Sequence, residues 1–438
     1  MNTPKIRKHL NADTLFQTVH SSFNKICDHR KRAEISIADA LMSAFAMFSL
    51  KDPSLLAFEE RRLGEDSTLQ NIYHINNVPC DTQMREILDK ISPRALESSF
   101  KNIFCQLQRG KALEQFMYMD GCYLLSLDGT GYFSSGQLNS GACMTKKNKK
   151  TGVVIYYQQM LGGSIVHPDL KEVIPLNPEM IIKQDGETKN DCERNAAKRF
   201  LKKFRKDHPN LPIIMIEDGL SSNAPHIKDL IFNGMNFILG AKPGDHKFLY
   251  SKVATAYEEG RVSVFECKDI SNKKITHCFR FINNVSLNAS NPDCVVNFLE
   301  YQQITPKKTT TFSWITNFKI TQNNVFKIMR GGRARWKIEN ETFNTLKNQG
   351  YHLEHNYGLG KKYLSENFAR LTMLAFLVDQ VQQLCCPLFC SIWKKYKSKR
   401  SLWEKIRFTF QAFMFNSMED LYRALFVGIK KRPPELNC

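Results

Sequence analysis

The first quarter of the chain carries apolar residues at helical spacing. Segment 35–50 is apolar around most of its circumference, which is typical of a buried helix. Shorter helices are predicted at 54–64, 81–91 and 94–116, with Asp81 as the N-cap of the second. We therefore expect residues 1–115 to form an all-helical region.

From about residue 117 the pattern changes to short apolar runs punctuated by glycine. The run 122–127 predicts a central strand, followed by a sharp turn at Gly129 and Gly131. Two further apolar runs meet at Gly162 and Gly163, which predicts a β-hairpin with its tip at these glycines.

Helices and strands then alternate up to residue 244. A helix capped by Asn190 or Asp191 is expected to stop before Pro209, and a buried strand follows at 211–217. A second capped helix and another strand come next. This order predicts a mixed α/β sheet in which helices form the crossovers.

The pattern divides the rest of the chain into three regions. Residues 116–244 are the first part of the α/β unit, and 245–325 form four predicted strands without helices between them, a mostly β insertion. Residues 326–385 are predicted to be helical and to close the α/β unit with a long apolar helix at 365–384. Residues 386–438 form a basic helical C-terminal region.

Charge narrows the choice of partners. The 438 residues include 62 Lys and Arg against 43 Asp and Glu, a formal net charge of +19. Such an excess favours polyanions, with nucleic acid first and an anionic membrane surface second. The loop residues Lys146, Lys147, Lys149 and Lys150 are candidates for contact with a phosphate backbone, or they form a solvated hairpin tip. The N-terminal helices either bind DNA or only pack on the core.

Neither a secreted nor a membrane-spanning protein is expected. The 13 cysteines show no disulfide framework or CxxC pair, and the N-terminal segment shows no signal-peptide pattern. No apolar stretch reaches the length of a membrane span. The cysteines near 385–390 and the pair His352 and His355 lack the spacing of a zinc site. A reducing cytoplasm fits this pattern best.

Three carboxylates stand out by position. Asp128 and Asp218 each follow a predicted strand and precede a glycine, and Glu339 lies in a helix expected to start near Arg333. A single Asp after a strand is more often a turn or cap residue. Three such carboxylates from separate elements, however, suit two Mg²⁺ or Mn²⁺ ions, which prefer oxygen ligands.

These acids and their surroundings resemble the DDE transposases of bacterial insertion sequences. The resemblance rests on four segments: LDGTGYF around Asp128, CERNAAKRFL, IEDGLSSNAPHI around Asp218, and RWKIENETFNTLK around Glu339. It covers residues 30–385, and 90 and 121 residues separate successive acids. The resemblance implies an RNase H-like fold with a β-strand insertion before the last acid, flanked here by helical regions.

The family resemblance also implies functional roles. Asp128, Asp218 and Glu339 would be catalytic and bind two metal ions, and Arg335 and Lys347 would contact phosphates. The enzyme would bind the terminal inverted repeats of its mobile element, cleave there, and join the 3′-hydroxyl ends to target DNA. The resemblance further implies a homodimer on double-stranded DNA, in a bacterial cytoplasm and on the nucleoid when bound to DNA.

Trp336, beside the phosphate-contacting Arg335, is a candidate for stacking on an unpaired base, although a buried core tryptophan is the preferred interpretation.

The last-acid segment departs from the family pattern at two places. Gly332 stands where the family has Tyr, and Lys347 comes one residue late relative to Glu339. The extra residue turns Lys347 roughly 80° around a helix from Glu339. Glu341 competes with Glu339 for the role of last acid, although its spacing from Lys337 favours an exposed ion pair.

Three alternatives remain open from sequence. The chain could be a DNA-binding relic that no longer cuts, which a metal-dependent cleavage assay would test. It could be an RNase H-like nuclease or resolvase that hydrolyses without joining strands, which a strand-transfer assay would test. A basic membrane-surface protein ranks last, because no basic amphipathic helix dominates the chain.

Overall fold

An eleven-stranded mixed β-sheet runs through the computed structural model, which describes residues 9–31, 33–63, 67–183, 191–396 and 398–428. The strands are β1 (Tyr123–Ser135), β2 (Met144–Lys147), β3 (Val154–Val166), β4 (Ile174–Pro175), β5 (Glu179–Ile181), β6 (Ile213–Glu217), β7 (Asn236–Gly240), β8 (Ser263–Lys268), β9 (Thr276–Asn288), β10 (Asn291–Ile304) and β11 (Thr309–Thr316).

The strand order confirms the predicted fold class. It is β2-β3-β1-β6-β7-β11-β10-β9-β8, and the short strands β4 and β5 also pair with β3. β1 runs antiparallel to β3 and parallel to β6, which in turn runs parallel to β7. The central strand β1 has antiparallel strands on one side, β3 and β2, and parallel strands on the other, β6 and β7. This is the strand arrangement of the RNase H-like fold.

The β insertion continues the same sheet. β11 pairs antiparallel with β7, from Trp314 opposite Gly240 to Thr316 opposite Ile238. β8 to β11 then follow one another as antiparallel neighbours, as the four predicted strands require. One helix precedes them within this mostly β range. The insertion and the strands that carry the candidate acids are therefore joined by backbone hydrogen bonds.

The predicted turns at glycine in β1 and β3 are wrong. β1 continues through Gly129 and Gly131, and β3 continues through Gly162 and Gly163. A Cβ at Gly129 would lie 2.1 Å from a Glu193 oxygen. At Gly162 and Gly163 it would lie 2.7 and 2.6 Å from phenylalanine rings. These glycines allow close approach of neighbouring side chains rather than chain reversal.

Helices flank the sheet and make up most of the described chain before β1 and after β11. They are α1 (Ala12–Phe23), α2 (Ile37–Leu50), α3 (Leu55–Leu63), α4 (Ser67–Tyr73), α5 (Asp81–Leu88), α6 (Glu97–Arg109), α7 (Glu193–Asp207), α8 (Ala224–Phe232), α9 (Lys247–Glu258), α10 (Val325–Arg333), α11 (Asn344–Asn348), α12 (Leu364–Cys385), α13 (Pro387–Lys395), α14 (Lys399–Ala412) and α15 (Met418–Val427). The predicted buried helices correspond to α2 and α12.

Two predicted helix caps are wrong. Cys80, not Asp81, is the N-cap of α5, and its backbone N–H donates to the Gln83 side chain at 3.2 Å. α7 is capped by Cys192, because the Asp191 carboxylate is engaged by Arg199 at 2.7 Å. The other proposed cap, Asn190, lies outside the described residues.

α12 is the buried axis around which the terminal helices pack. At its start, the Asp89 carboxylate accepts backbone N–H bonds of 2.9–3.0 Å from four successive residues, 361–364. Burial raises the pKa of Asp89, but these four bonds outweigh burial and lower it. Near the other end, Asp379 forms a fully buried ion pair with Lys51 of the α2 C-cap. The N-terminal helices are thereby bound to a helix late in the chain.

The described residues contain neither a single membrane-spanning helix nor a disulfide bond. Within them, no single helix combines the length and apolarity of a membrane span, and only the pair α12 and α13, bent by 96°, meets these criteria together. No disulfide joins the described cysteines.

Candidate active site

Asp128 and Glu339 meet beside the middle of β1. Asp128 sits within the strand, and its Oδ1 accepts the Gly129 N–H at 2.9 Å. Both side chains pair with the same nitrogen, Nη1 of Arg335. The Arg335 guanidinium donates to Glu339 Oε1 at 2.6 Å and lies 3.5 Å from Asp128 Oδ2. Two of the three predicted acids are thus together around one cation.

Glu339 lies in a helical segment separate from α10. α10 ends at Arg333, and after a short turn the chain forms a π-helical segment, Ile338–Phe343, so the helix of Glu339 begins a few residues after the predicted start near Arg333. Such π-helical turns are frequent at functional sites. Ser126 of β1 donates to the Arg335 carbonyl at 3.3 Å, and Ser164 of β3 bonds Thr342 at 3.2 Å. These bonds hold the π-helical segment across both strands.

Electrostatics at this contact favour a cation. Burial raises the pKa of Asp128 to about 7; Arg335 opposes this rise, and the nearby Glu339 carboxylate adds to it. Two carboxylates in contact repel each other when both are ionised. A positive group between them relieves that repulsion, and Arg335 takes this place in the structure.

Asp218 lies at the end of the neighbouring parallel strand. It follows β6 directly, and its Oδ1 accepts the Leu220 N–H at 3.0 Å. Asp128 and Asp218 line one open cleft of about 760 Å³. The structure therefore places Asp218 on the same cleft as Asp128, as expected for residues on adjacent parallel strands.

The acid immediately before Asp218 is engaged elsewhere. Glu217 is buried, and its carboxylate accepts bonds from His226 at 2.6 Å and Ser221 at 3.3 Å. Burial would lower the pKa of His226, but Glu217 overcomes burial and raises it. This ion pair fixes the segment between β6 and α8, which carries Asp218.

The three acids do not converge on one point. Within the described part of the chain, no group of three or more His, Cys, Asp or Glu side chains is placed to hold a metal ion. Asp128 and Glu339 share Arg335, while Asp218 lines the cleft of Asp128 from its own strand. The cation that lies between two of the acids is Arg335.

Glu193 is a further carboxylate on the cleft, and sequence reasoning missed it. It begins α7 and lines the cleft with Asp128 and Asp218. Burial and the Asp218 carboxylate both raise the pKa of Glu193. The only signal in the sequence was Gly129, whose missing side chain leaves the space that Glu193 occupies.

The remaining predicted residues near the last acid take different positions. Trp336 is 52% exposed and lies 5.6 Å from the Arg335 guanidinium, so the preferred interpretation of a buried tryptophan is wrong. Lys347 pairs with Glu354 at 2.8 Å. Glu341, the competing acid, interacts electrostatically with Lys399. Burial lowers the pKa of Lys399, and the Glu341 carboxylate opposes this decrease.

Packing explains the glycine at the position of the family tyrosine. A Cβ on Gly332 would lie 2.4 Å from the indole nitrogen of Trp314 on β11. Any side chain at this position would have to displace that buried indole. The departure from the family pattern therefore allows α10 to pack closely on the insertion strands.

The basic loop lies at the turn between β2 and β3. Lys146, Lys147, Lys149 and Lys150 are all exposed. Asn148 shapes the turn by accepting the Lys150 N–H at 2.8 Å. The four lysines form a surface cluster on the edge hairpin of the sheet.

Comparison with known proteins gives a limited result. No protein-family model and no curated protein matches the sequence. Among solved structures, the chain is similar to a piggyBac transposase in a synaptic complex with hairpin DNA, determined by cryo-electron microscopy. The identity is 11% and the TM-score 0.42, over 98% of this chain and 82% of that one. At these values the function has to be inferred from the residues of this chain.

Proposed function

We propose that this protein is a DNA transposase that cleaves phosphodiester bonds at the ends of its mobile element and joins the freed 3′-hydroxyls to target DNA. The observation that carries this function is that the Arg335 guanidinium pairs with both Asp128 and Glu339, and that Asp218 lines the same cleft as Asp128. The residues stand on an RNase H-like sheet, in the order that the family resemblance implies.

The chemistry of the three acids suits divalent metal ions, which would have to draw Asp218 toward Asp128 and Glu339. Asp128, Asp218 and Glu339 supply the hard oxygen ligands that Mg²⁺ or Mn²⁺ prefers. Burial and the Glu339 carboxylate raise the pKa of Asp128, and a bound cation would oppose that rise. We infer two ions. When bound, they supply an activated water or hydroxyl and stabilise the leaving oxygen of the phosphodiester.

The protein side chains contribute binding and orientation. Arg335 donates to Glu339 in the free protein, and it is close enough to the cleft to bind a DNA phosphate once the acids are otherwise neutralised. Trp336 is exposed beside it and offers a stacking face for a base. The Glu217–His226 pair keeps the Asp218 segment in position.

The charge of the chain supports double-stranded DNA as the partner. The net charge of +19 and the exposed lysines of the β2–β3 turn favour contact with a phosphate backbone. We propose that the partners are the terminal inverted repeats and target DNA. A homodimer holding two ends, and a bacterial cytoplasm as its location, follow from the family resemblance.

Cleavage and joining on the DNA of the element test this function. The protein is incubated with Mg²⁺ or Mn²⁺ and DNA carrying the terminal repeats, beside Asp218→Asn and Glu339→Gln. Glu341→Gln is the matched control, because it removes the same charge two residues away. We expect cleavage and joining in the wild type and the control, and loss of at least a hundredfold in both acid variants.

The other outcomes separate the alternatives. Cleavage without joining would indicate a nuclease or resolvase. Binding without cleavage in either metal would indicate a DNA-binding relic. Loss of activity in Glu341→Gln but not in Glu339→Gln would contradict the assignment of the last acid.

A further inference from the structure

A second cavity lies on the other side of the segment that carries the last acid. It has a volume of about 340 Å³ and is bounded by α10, by β9 and β10 of the insertion, and by the loop after β3. Arg330 and Arg333 of α10 line it, together with Lys337 from the segment that follows the turn after α10. Arg335 lies instead beside Asp128 and Glu339. We call this cavity the α10 pocket.

The cations of the α10 pocket are held by weak, exchangeable contacts. Arg330 pairs with Asp169, and both side chains are largely exposed. Such exposed pairs contribute little and can be replaced by a stronger anion. Lys337 donates to the Leu170 carbonyl. Arg333 lies over the Phe312 ring at 5.0 Å, so its guanidinium edge stays available for hydrogen bonds.

A buried polar chain forms the floor of the α10 pocket. The Tyr301 hydroxyl bonds His277 Nδ1 at 2.8 Å, and His277 Nε2 bonds Asp269 at 3.1 Å. Tyr301 and Arg333 both line the pocket, so the insertion strands and α10 meet there.

The α10 pocket carries a net positive charge. Asp269 is its one lining carboxylate among the described residues, and it already accepts bonds from Ser271, Asn272 and His277. These bonds hold the pKa of Asp269 well below its usual range. Three cations therefore face Asp269, which is already satisfied, and the exposed Asp169, which pairs with Arg330. Phe326, partly exposed, adds an apolar wall.

We propose that the α10 pocket binds a backbone phosphate of the DNA substrate, at a position separate from the cleft of Asp128. This inference rests on the proposed function. Arg330 and Arg333 supply paired donors that match phosphate oxygens, and Lys337 adds a point charge. The volume admits a phosphodiester with its sugar. DNA bound there would contact the chain between Arg330 and Lys337, a few residues before Glu339.

Salt-dependent binding tests the α10 pocket without requiring cleavage. Affinity for terminal-repeat DNA is measured by fluorescence anisotropy without divalent metal, across a range of KCl concentrations. Arg330→Gln with Arg333→Gln should weaken binding roughly tenfold and lower the slope of log K against log salt by about 1, the value for one lost phosphate contact. Arg423→Gln is the matched control, since Arg423 is an exposed arginine paired with Glu419 on α15.

Folding and the source of the phosphate are checked separately. The single variant Arg330→Gln removes only an exposed pair, so it supplies the measurement if the double variant is unstable. DNA with single methylphosphonate substitutions is then compared. One substitution should weaken wild-type binding and leave the Arg330→Gln variant unaffected, which would identify the phosphate in the pocket.

The results that overturn the inference are distinct from those that overturn the function. An unchanged affinity and slope, with normal wild-type binding, would exclude the α10 pocket alone. Stabilisation of the wild type but not of the variant by inorganic phosphate, with no discriminating methylphosphonate, would assign the pocket to free phosphate and overturn the DNA subsite. A wild-type protein without affinity for terminal-repeat DNA would contradict the proposed function as well.

Discussion

Replacement of Lys51 by Met should expose how strongly the two ends of the chain depend on each other. The Lys51 ammonium is fully buried, pairs with Asp379, and donates to the Ser49 carbonyl at 2.8 Å. It also lies 4.0 Å from the Trp403 ring. Methionine fills a similar volume, so the main effect is an Asp379 charge left buried without its cation.

The expected loss of stability follows from that uncompensated charge. Removing one partner of a buried ion pair costs about 3–5 kcal/mol. With an unfolding entropy of about 2.1 cal/mol/K per residue, this corresponds to a decrease in Tm of roughly 4 °C for a chain of this length that unfolds cooperatively. The double variant Lys51→Met with Asp379→Asn should recover most of the loss, because the amide keeps an acceptor for the Tyr351 hydroxyl, now 2.6 Å from Asp379.

The pH dependence gives an independent check with a defined sign. Burial raises the pKa of Asp379 even with Lys51 present, and loss of the cation should raise it further. A carboxyl whose folded pKa is raised destabilises the fold as pH rises through that value. The deficit of Lys51→Met should therefore shrink as pH falls from 7 to 5.

Thermal and chemical denaturation of the full chain measure these effects. Lys252→Met is the matched control, because Lys252 is exposed and near a ring, 5.5 Å from Phe248. The reasoning is refuted if Lys51→Met is as stable as the control, or if the double variant is no more stable than the single one.

Three further predictions concern the sheet and the cleft. Gly162→Ala should destabilise the protein by about 1–3 kcal/mol, because its Cβ would lie 2.7 Å from the Phe343 ring; an unchanged denaturation midpoint would contradict this packing. Cleavage of end DNA should fall as the pH drops below about 7, because burial raises the pKa of Asp128 to about 7 and protonation removes a metal-binding charge. A cleavage rate that does not change between pH 8 and pH 5.5 would count against this role of Asp128. Lys347→Gln should change the cleavage rate by less than about fivefold, since Lys347 forms a partly exposed pair with Glu354; a larger loss in a single-turnover assay would place it at the phosphate.

The pattern of apolar and polar residues within short segments was sufficient to predict many strands of the sheet. The strands that carry or precede Asp128 and Asp218 were predicted because buried strands form short apolar runs, and the insertion strands because alternation is visible without long-range information. The proximity of Asp128 and Glu339, which share Arg335, was predicted only through family resemblance. Residues 211 apart along the chain leave no local sign of contact.

Some glycines, and the acidic residue Glu193, could not be interpreted uniquely from the sequence. Gly129 and Gly162 favour either a turn or close packing, and the neighbour that decides between them belongs to a distant element. Glu193 was hidden for the same reason: at a helix start it resembles an ordinary first-turn acid. Trp336 was misjudged because apolar character predicts burial only on average.

The four hydrogen bonds that Asp89 accepts at the start of α12 determine when the N-terminal region can finish folding during synthesis. Asp89 leaves the ribosome 272 residues before Lys361, the first of its partners. At about 5–20 residues per second, that interval lasts roughly 15–55 s. Throughout it, the nascent N-terminal helices lack the helix against which α2 packs, and their apolar faces stay exposed to other chains. The N-terminal region is therefore completed only late in synthesis, and yield in cells should depend on chaperones that bind it during this interval.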